Sequence, residues 1–229
     1  MRLTNLQKSY GSELALRGLS LVVPDGRITC ILGKSGAGKT TLLNVLAGIA
    51  SFTGEIEPKP NSVGYVFQEN RLLSHLSVEE NLRFVGGRCE IIEELLRSAG
   101  IETLRKRKVA ALSGGEKRRV ALLRALCVDA PLLLLDEPFS ALDSVTKESL
   151  LALLKNRLKT SGQTAVFVTH DVDEAIALAD KIAVVENGKI VWELTLAHSE
   201  TPRAYGALSA EREAVMAALR SSEKFGTEI

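Results

Sequence analysis

The sequence predicts an α/β fold: a parallel-sheet core, an N-terminal antiparallel β subdomain and an inserted α-helical subdomain. Three observations carry this. Ile28–Leu32 and Leu132–Leu135 are bare apolar runs without the alternation of a half-exposed strand. Strands covered on both faces, as in parallel sheets, read this way. From residue 129 onward strand and helix patterns alternate, the order that builds βαβ units. Residues 69–128 read mainly as helix, which makes them an insert within the core and not a separate unit.

The elements follow in order. Leu3–Leu6, Leu14–Arg17 and Leu19–Val23 read as short strands, with Pro24-Asp25-Gly26 as the turn after them. The strand Ile28–Leu32 leads through glycines into a helix over Thr40–Ala47, which Gly48 stops. Val63–Phe67 is a strand. In the insert, Ser77-Val78-Glu79-Glu80 has the spacing of a capping box, and Glu90–Ala99 is amphipathic up to Gly100. A further helix runs from Ser113 to about Cys127. The strand Leu132–Leu135, helix Val145–Leu158, strand Thr164–Thr169, helix Asp173–Ala179 and strand Ile182–Val185 then alternate. Asn187-Gly188 is a hairpin turn into Lys189–Glu193. The expected organisation is one domain over 1–229, with core segments at about 1–68 and 129–198, the insert at about 69–128 and a helical tail at about 199–229. An amphipathic helix near Ala207–Arg220 is expected to pack on the core.

Composition narrows the function. The chain has 229 residues, 45% hydrophobic and 25% charged, ordinary for a globular protein. Its net charge of +1 gives no electrostatic signature of a nucleic-acid binder. Cys30, Cys89 and Cys127 are odd in number, have no metal-ligand spacing and suit a reducing compartment. Cys30 and Cys127 lie in apolar surroundings and read as core residues. The N-terminus lacks the apolar segment of a secretory signal. No apolar run reaches the roughly 18 residues of a spanning helix, so work at a membrane requires another protein to cross it.

Several residues carry chemistry. Gly33-Lys34-Ser35-Gly36-Ala37-Gly38-Lys39-Thr40 matches G-x-x-x-x-G-K-[ST] in full, between a strand and a helix. Such a loop curls its N–H groups around phosphates, sets a lysine, here Lys39, on the β- and γ-phosphates and offers a hydroxyl, here Thr40, to Mg²⁺. The core is therefore expected to be of the P-loop NTPase type, with Thr41 the next residue at the ATP site. The strand Leu132–Leu135 runs into Asp136-Glu137 at the carboxyl edge of the sheet, where ligands bind in open α/β folds. Asp136 is assigned to the magnesium shell and Glu137 to the attacking water. His170 closes a strand at the same edge and is a candidate γ-phosphate contact. Gln68, at the end of Val63–Phe67, has an amide able to touch both metal-bound water and oxygen. Tyr10 is an aromatic near a strand end, where packing is the ordinary role and stacking on a purine the alternative. Ser113-Gly114-Gly115 suits a helix start, whose N–H groups lack partners and attract anions. The basic runs Arg105–Lys108 and Lys117–Arg119 read as a solvated helical face, with contact to a partner's acidic loop as the rival reading.

In this order Gly33–Thr40, Gln68, Leu112-Ser113-Gly114-Gly115-Glu116, Asp136-Glu137, Ser140-Ala141-Leu142-Asp143 and His170 make the chain resemble the ATP-binding subunits of ABC transporters. The resemblance covers about residues 2–195, and LSGGE is not a general P-loop feature. It implies that Gln68 is the Q-loop residue and a magnesium contact, that His170 is the switch histidine and that Tyr10 stacks on adenine. It implies ATP and Mg²⁺ as cofactors and a dimer, of two identical chains or a paired ABC ATPase. Each ATP would lie between the Gly33–Thr40 loop of one subunit and Ser113, Gly114, Gly115 and Glu116 of the other, with Asp143 at the interface. It further implies transmembrane permease subunits, a substrate-binding protein, a peripheral place on the cytoplasmic face of the membrane, and no nucleic-acid partner. The chain resembles separate ATPases of prokaryotic importers. Phe67–Phe84 is similar to the corresponding region of nitrate, sulfonate, taurine and thiamine-precursor systems, with Ser74-His75 where those often have Pro-Trp. The same motifs serve extrusion, envelope or division systems and non-transport ABC ATPases.

Overall fold

A computed structural model describes residues 1–204 and 207–224. Residues 205, 206 and 225–229 of the expected tail lie outside the described residues. The chain begins with β1 (Arg2–Tyr10), β2 (Glu13–Val22) and β3 (Ile28–Leu32), then α1 (Lys39–Leu46), β4 (Thr53–Glu57) and β5 (Val63–Val66). The helices α2 (Val78–Phe84), α3 (Cys89–Ser98) and α4 (Gly114–Leu126) follow, with short 3₁₀ turns at Glu102–Leu104 and Val109–Ala111. Then come β6 (Leu132–Asp136), α5 (Ser144–Ser161), β7 (Thr164–Val168), α6 (Val172–Leu178), β8 (Lys181–Glu186), β9 (Lys189–Thr195) and α7 (Ser209–Lys224).

Two sheets form. The larger has the order β5-β6-β7-β3-β8-β9, parallel from β5 to β8 and closed by the antiparallel β9. The smaller is the antiparallel sheet β2-β1-β4. The expected pair of strands over 14–23 is one strand, β2, in which Gly18 at φ +84 accompanies shifts in the register with β1. β4 was not anticipated, because Thr-Gly-Glu-Ile-Glu is polar and mostly exposed, as an edge strand can be. The Arg17 N–H donates to Gly188 O at 2.9 Å and ties the small sheet to the β8–β9 hairpin.

The bare runs are covered on both faces, as expected. Every residue of β3, β6 and β7 is buried. Side chains alternate across a strand. Leu132 and Leu134 thus join α1 and the small sheet in one core, while Leu133 and Leu135 join the helices in the other. Cys30 and Cys127 are buried, and Cys89 is exposed. The capping box at Ser77 forms: its N–H donates to the Glu80 carboxylate at 2.7 Å and its hydroxyl accepts from Glu80 N–H. α7 packs on α6 and β8, with Val215 buried in the core, and Arg212 pairs with Asp173 at 2.7 Å. Among the described residues no helix is long and apolar enough to cross a membrane.

Candidate active site

Because β5, β6, β7 and β3 are parallel, their carboxyl ends lie along one edge of the sheet. Gln68, Asp136-Glu137, His170 and the loop from Gly33 therefore converge, although they are far apart in the chain. A cavity of about 420 Å³ opens there, lined by Tyr10, Ser35, Gly36, Gly38, Lys39, Thr40, Thr41, Gln68, Asp136, Glu137 and His170. Glu13 and Ala15 line it too. Sequence reasoning missed both; the signal was that Glu13 is the first residue after the turn that follows Tyr10, and it pairs with Tyr10 across β1 and β2. Gly33, Lys34 and Ala37 belong to the loop but not to the cavity wall.

The loop's geometry suits a phosphate. Gly38 has φ +100, and a Cβ there would lie 2.6 Å from Ala15 O, so only glycine fits. It precedes α1, whose start has no side-chain cap and whose first N–H groups have no partner within the helix. Lys39 Nζ donates to Gly33 O and Lys34 O, each at 2.7 Å, folding back over its own loop. Burial lowers the Lys39 pKa, against the opposing pull of Glu137 and Asp136.

The acids differ in setting. Asp136 is 2% exposed and hydrogen-bonded by Thr40. Burial is the largest influence on its carboxyl and raises the pKa, with Thr40, Lys39 and Arg118 pulling the other way. A buried carboxylate beside a hydroxyl is a hard-oxygen donor set, which fits Mg²⁺ held by one or two protein oxygens plus substrate phosphates. Glu137 has φ +47, a left-handed conformation costly for a residue with a side chain. That turn carries its carboxylate away from Asp136 to 3.1 Å from His170 Nδ1.

Ser113, Gly114, Gly115 and Glu116 do not reach this cavity. They start α4, with Ser113 as N-cap: Glu116 Oε2 accepts from Ser113 N–H at 2.7 Å, and Ser113 Oγ accepts from Glu116 N–H at 3.3 Å. Asp143 also lies outside the cavity; it is exposed and caps α5 by accepting from Thr146 N–H at 2.9 Å.

The solvated reading of the basic runs needs correction at two positions. Arg105 pairs with Glu79, holding that carboxyl down at about 2 together with Arg83. Arg118 is 3% exposed and turned inward, because it shares a helix face with buried Leu122 and Ala125. It was a missed residue, and that helical spacing was the signal.

Comparison with known proteins decides the family. The model of the ABC transporter family matches residues 16–140. The aliphatic sulfonates import ATP-binding protein SsuB 1 of Rhizobium johnstonii is 39% identical over 221 residues, covering 89% of this chain and 79% of that protein. The chain belongs to the ABC transporter family. The corresponding protein of Rhodopseudomonas palustris is 40% identical, covering 86% of this chain and 74% of its own length. The sulfate/thiosulfate import ATP-binding protein CysA of Synechocystis is 39% identical over 82% of this chain, which spans only 58% of that relative's length. Among solved structures, the dimeric ATP-binding cassette MJ0796 in a post-hydrolysis state with ADP and Pi is similar at TM-score 0.76 and 32% identity. It covers 86% of this chain and 99% of the cassette. The fold is thus the α/β P-loop NTPase fold of ABC cassettes.

Proposed function

We propose that this ABC-family chain is an ATP hydrolase that energises a separate membrane permease, and that two cassettes close over two ATP molecules. The observation that carries this reading is a division within one chain. The phosphate loop, both acids, Gln68 and His170 line one cavity, while Ser113–Glu116 stand outside it. A second copy, or a paired ABC ATPase, supplies what the cavity lacks. A Cβ on Gly114 would meet nothing within 4 Å, so nothing in the surrounding chain demands glycine there. Close approach by an outside ligand does, and the γ-phosphate on the facing subunit is that ligand.

The residues divide the work as follows. Tyr10, half exposed at the cavity rim, stacks on adenine. Lys39 exchanges its two carbonyl partners for phosphate oxygens, whose charge offsets the cost of its burial. Asp136 and Thr40, with Gln68 lining the same cavity, would hold Mg²⁺, which would supply charge neutralisation of the phosphates. Glu137 accepts the proton of the water that attacks the γ-phosphoryl group; the bond to the leaving oxygen breaks, giving ADP and phosphate. His170 holds the Glu137 carboxylate and contacts the γ-phosphate. Loss of that phosphate removes the group shared by the two subunits and lets the dimer reopen.

The helical insert about 69–128 docks on the permease at the cytoplasmic face. A groove of about 380 Å³ borders it, lined by Ile49, Tyr65, Phe67, Phe84 and Val128, with Phe84 69% and Ile49 59% exposed. Exposed large apolar side chains gathered in one groove mark an interaction surface. The direction is import, with a substrate-binding protein in the system, and the cargo is a small sulfur oxyanion. Similarity to sulfate and sulfonate import subunits supports both.

The test is ATPase activity of the chain co-purified with its permease. Vanadate-sensitive turnover that rises with the permease is expected. Absence of a membrane partner on pull-down counts against transport.

A further inference from the structure

The Arg118 side chain reaches out of α4 and ends among main-chain oxygens of two separate loops. Nη1 donates to Phe67 O at 2.7 Å, to Gln68 O at 3.1 Å and to Asn70 Oδ1 at 3.3 Å. Nη2 donates to Asp136 O and Glu137 O, both at 2.6 Å, and Nε to Pro138 O at 3.1 Å. The first three acceptors follow β5; of the last three, Asp136 ends β6 and Glu137 and Pro138 follow it. A planar fork of five N–H donors spans both sets at once; a lysine ammonium cannot.

One of the clamped peptides is unusual. Glu137 occupies the left-handed region at φ +47. Its N–H donates to Val168 O at 2.9 Å, and its carbonyl accepts from Ser140 N–H at 3.1 Å as well as from Arg118. A strained residue persists only where its surroundings over-determine it. Here Arg118 supplies bonds on either side of the strained residue, to the carbonyls of Asp136, Glu137 and Pro138. It arises from the same helix that begins at Ser113, Gly114 and Gly115.

We propose that Arg118 is a positioning residue for hydrolysis. It holds the Glu137 peptide in the conformation that aims the carboxylate at His170 and the cavity, and it joins that peptide to the Gln68 loop and to α4. A shift of α4 therefore moves the Gln68 and Glu137 main chains together. Arg118 does not line the cavity and acts through the residues it holds. The inference rests on the reading of Glu137 as the base.

The test compares wild type, Arg118→Lys, Arg118→Gln and Glu137→Gln as full chains, measuring kcat, KM, ATP affinity and melting temperature. Misplacing a reacting group by about 1 Å costs on the order of 100-fold in rate. Arg118→Gln is expected to lose kcat by about 10–100-fold, with KM and ATP affinity within about threefold of wild type. Arg118→Lys keeps the charge and is expected to fold, yet to lose kcat by about tenfold with KM unchanged. If Arg118→Gln does not fold, Arg118→Lys decides. Normal kcat in the lysine variant overturns the proposal, as does a loss of ATP affinity as large as the loss of kcat. Glu137→Gln separates the two readings: normal turnover there removes the base assignment itself, whereas an inactive Glu137→Gln beside a fully active Arg118→Lys removes only the role of Arg118.

Discussion

Glu137 Oε1 lies 3.1 Å from His170 Nδ1, joining the residue after β6 to the second residue after β7 at one edge of the sheet. The two strands are parallel neighbours, with Leu135 beside Phe167 and Asp136 beside Val168. The contact is therefore set by the sheet register and by the turn at Glu137. His170 is 70% exposed at its side chain and Glu137 22%, so the pair stands at the mouth of the cavity.

Replacing Glu137 by glutamine keeps the shape but exchanges one carboxylate oxygen for an NH₂ donor, which removes the proposed base. General-base assistance contributes about 10²–10⁴-fold, so kcat is expected to fall by at least about 100-fold. ATP binding should survive, because the phosphate loop is untouched, and the dimer should be trapped with ATP. Steady-state turnover and equilibrium binding of a fluorescent ATP analogue measure the two halves separately. Normal turnover removes the base assignment.

Lys39→Ala tests the phosphate loop. Among the described residues the ammonium group donates to two loop carbonyls, beside the attraction of Glu137 and Asp136, so its loss costs the free protein little more than those contacts. A charge-assisted contact to phosphate contributes about 1.5–3 kcal/mol, which predicts a fall in ATP affinity of about 10–100-fold. Isothermal titration with ATP reads it directly, and unchanged affinity rejects the loop as the nucleotide site.

How much of this was legible depends on the range of the signal. The phosphate loop, the acids after β6 and the Ser77 capping box are local patterns, and each appears where the sequence places it. The convergence of Gln68, Asp136, Glu137 and His170 followed from one topological rule: parallel strands bring their carboxyl ends to the same edge. Three features escape a reading by composition and hydrophobic pattern. β4 is polar and exposed, so its pairing with β1 has no hydrophobic pattern to announce it. The left-handed turn at Glu137 occurs at a residue type that gives no warning of it. Arg118 sits in a run of basic residues, and composition alone marks such runs as solvent-facing. Only its helical phase relative to Leu122 places it inside.

Asp136→Asn is expected to stabilise the nucleotide-free protein at neutral pH. Burial raises the Asp136 pKa in the folded state. A group raised on folding contributes stability that is present below its unfolded pKa and lost as pH rises through the folded value. Wild type therefore carries a cost at neutral pH that asparagine does not. The difference should be largest at pH 7 and close as pH falls toward about 4, the ordinary aspartate value. Each kcal/mol recovered raises Tm by about 2–4 °C in a chain of this size. Thermal melts at several pH values, without nucleotide, measure it. A variant less stable than wild type at pH 7 contradicts the electrostatic account; with Asp136 holding magnesium as proposed, hydrolysis should be lost in either case.

Ser113→Arg separates a helix cap from a binding surface. Within its own chain Ser113 caps α4 by accepting from Glu116 N–H, and losing such a cap costs about 1 kcal/mol. That cost lowers Tm but leaves the cavity intact, because Ser113 does not line it. ATP should bind the variant with near-normal affinity. In the sandwich reading, an arginine at the helix start fills the space that the facing γ-phosphate must enter. ATP-dependent dimerisation of the Glu137→Gln background, followed by light scattering, should then be lost. Gly114→Ala is the control for stability: its Cβ meets nothing within 4 Å in this chain, and alanine favours helix over glycine by about 1 kcal/mol, so the monomer should melt no lower than wild type. Normal ATP-driven dimerisation of Ser113→Arg would leave these residues as an ordinary helix cap and would require a different partner surface for the nucleotide.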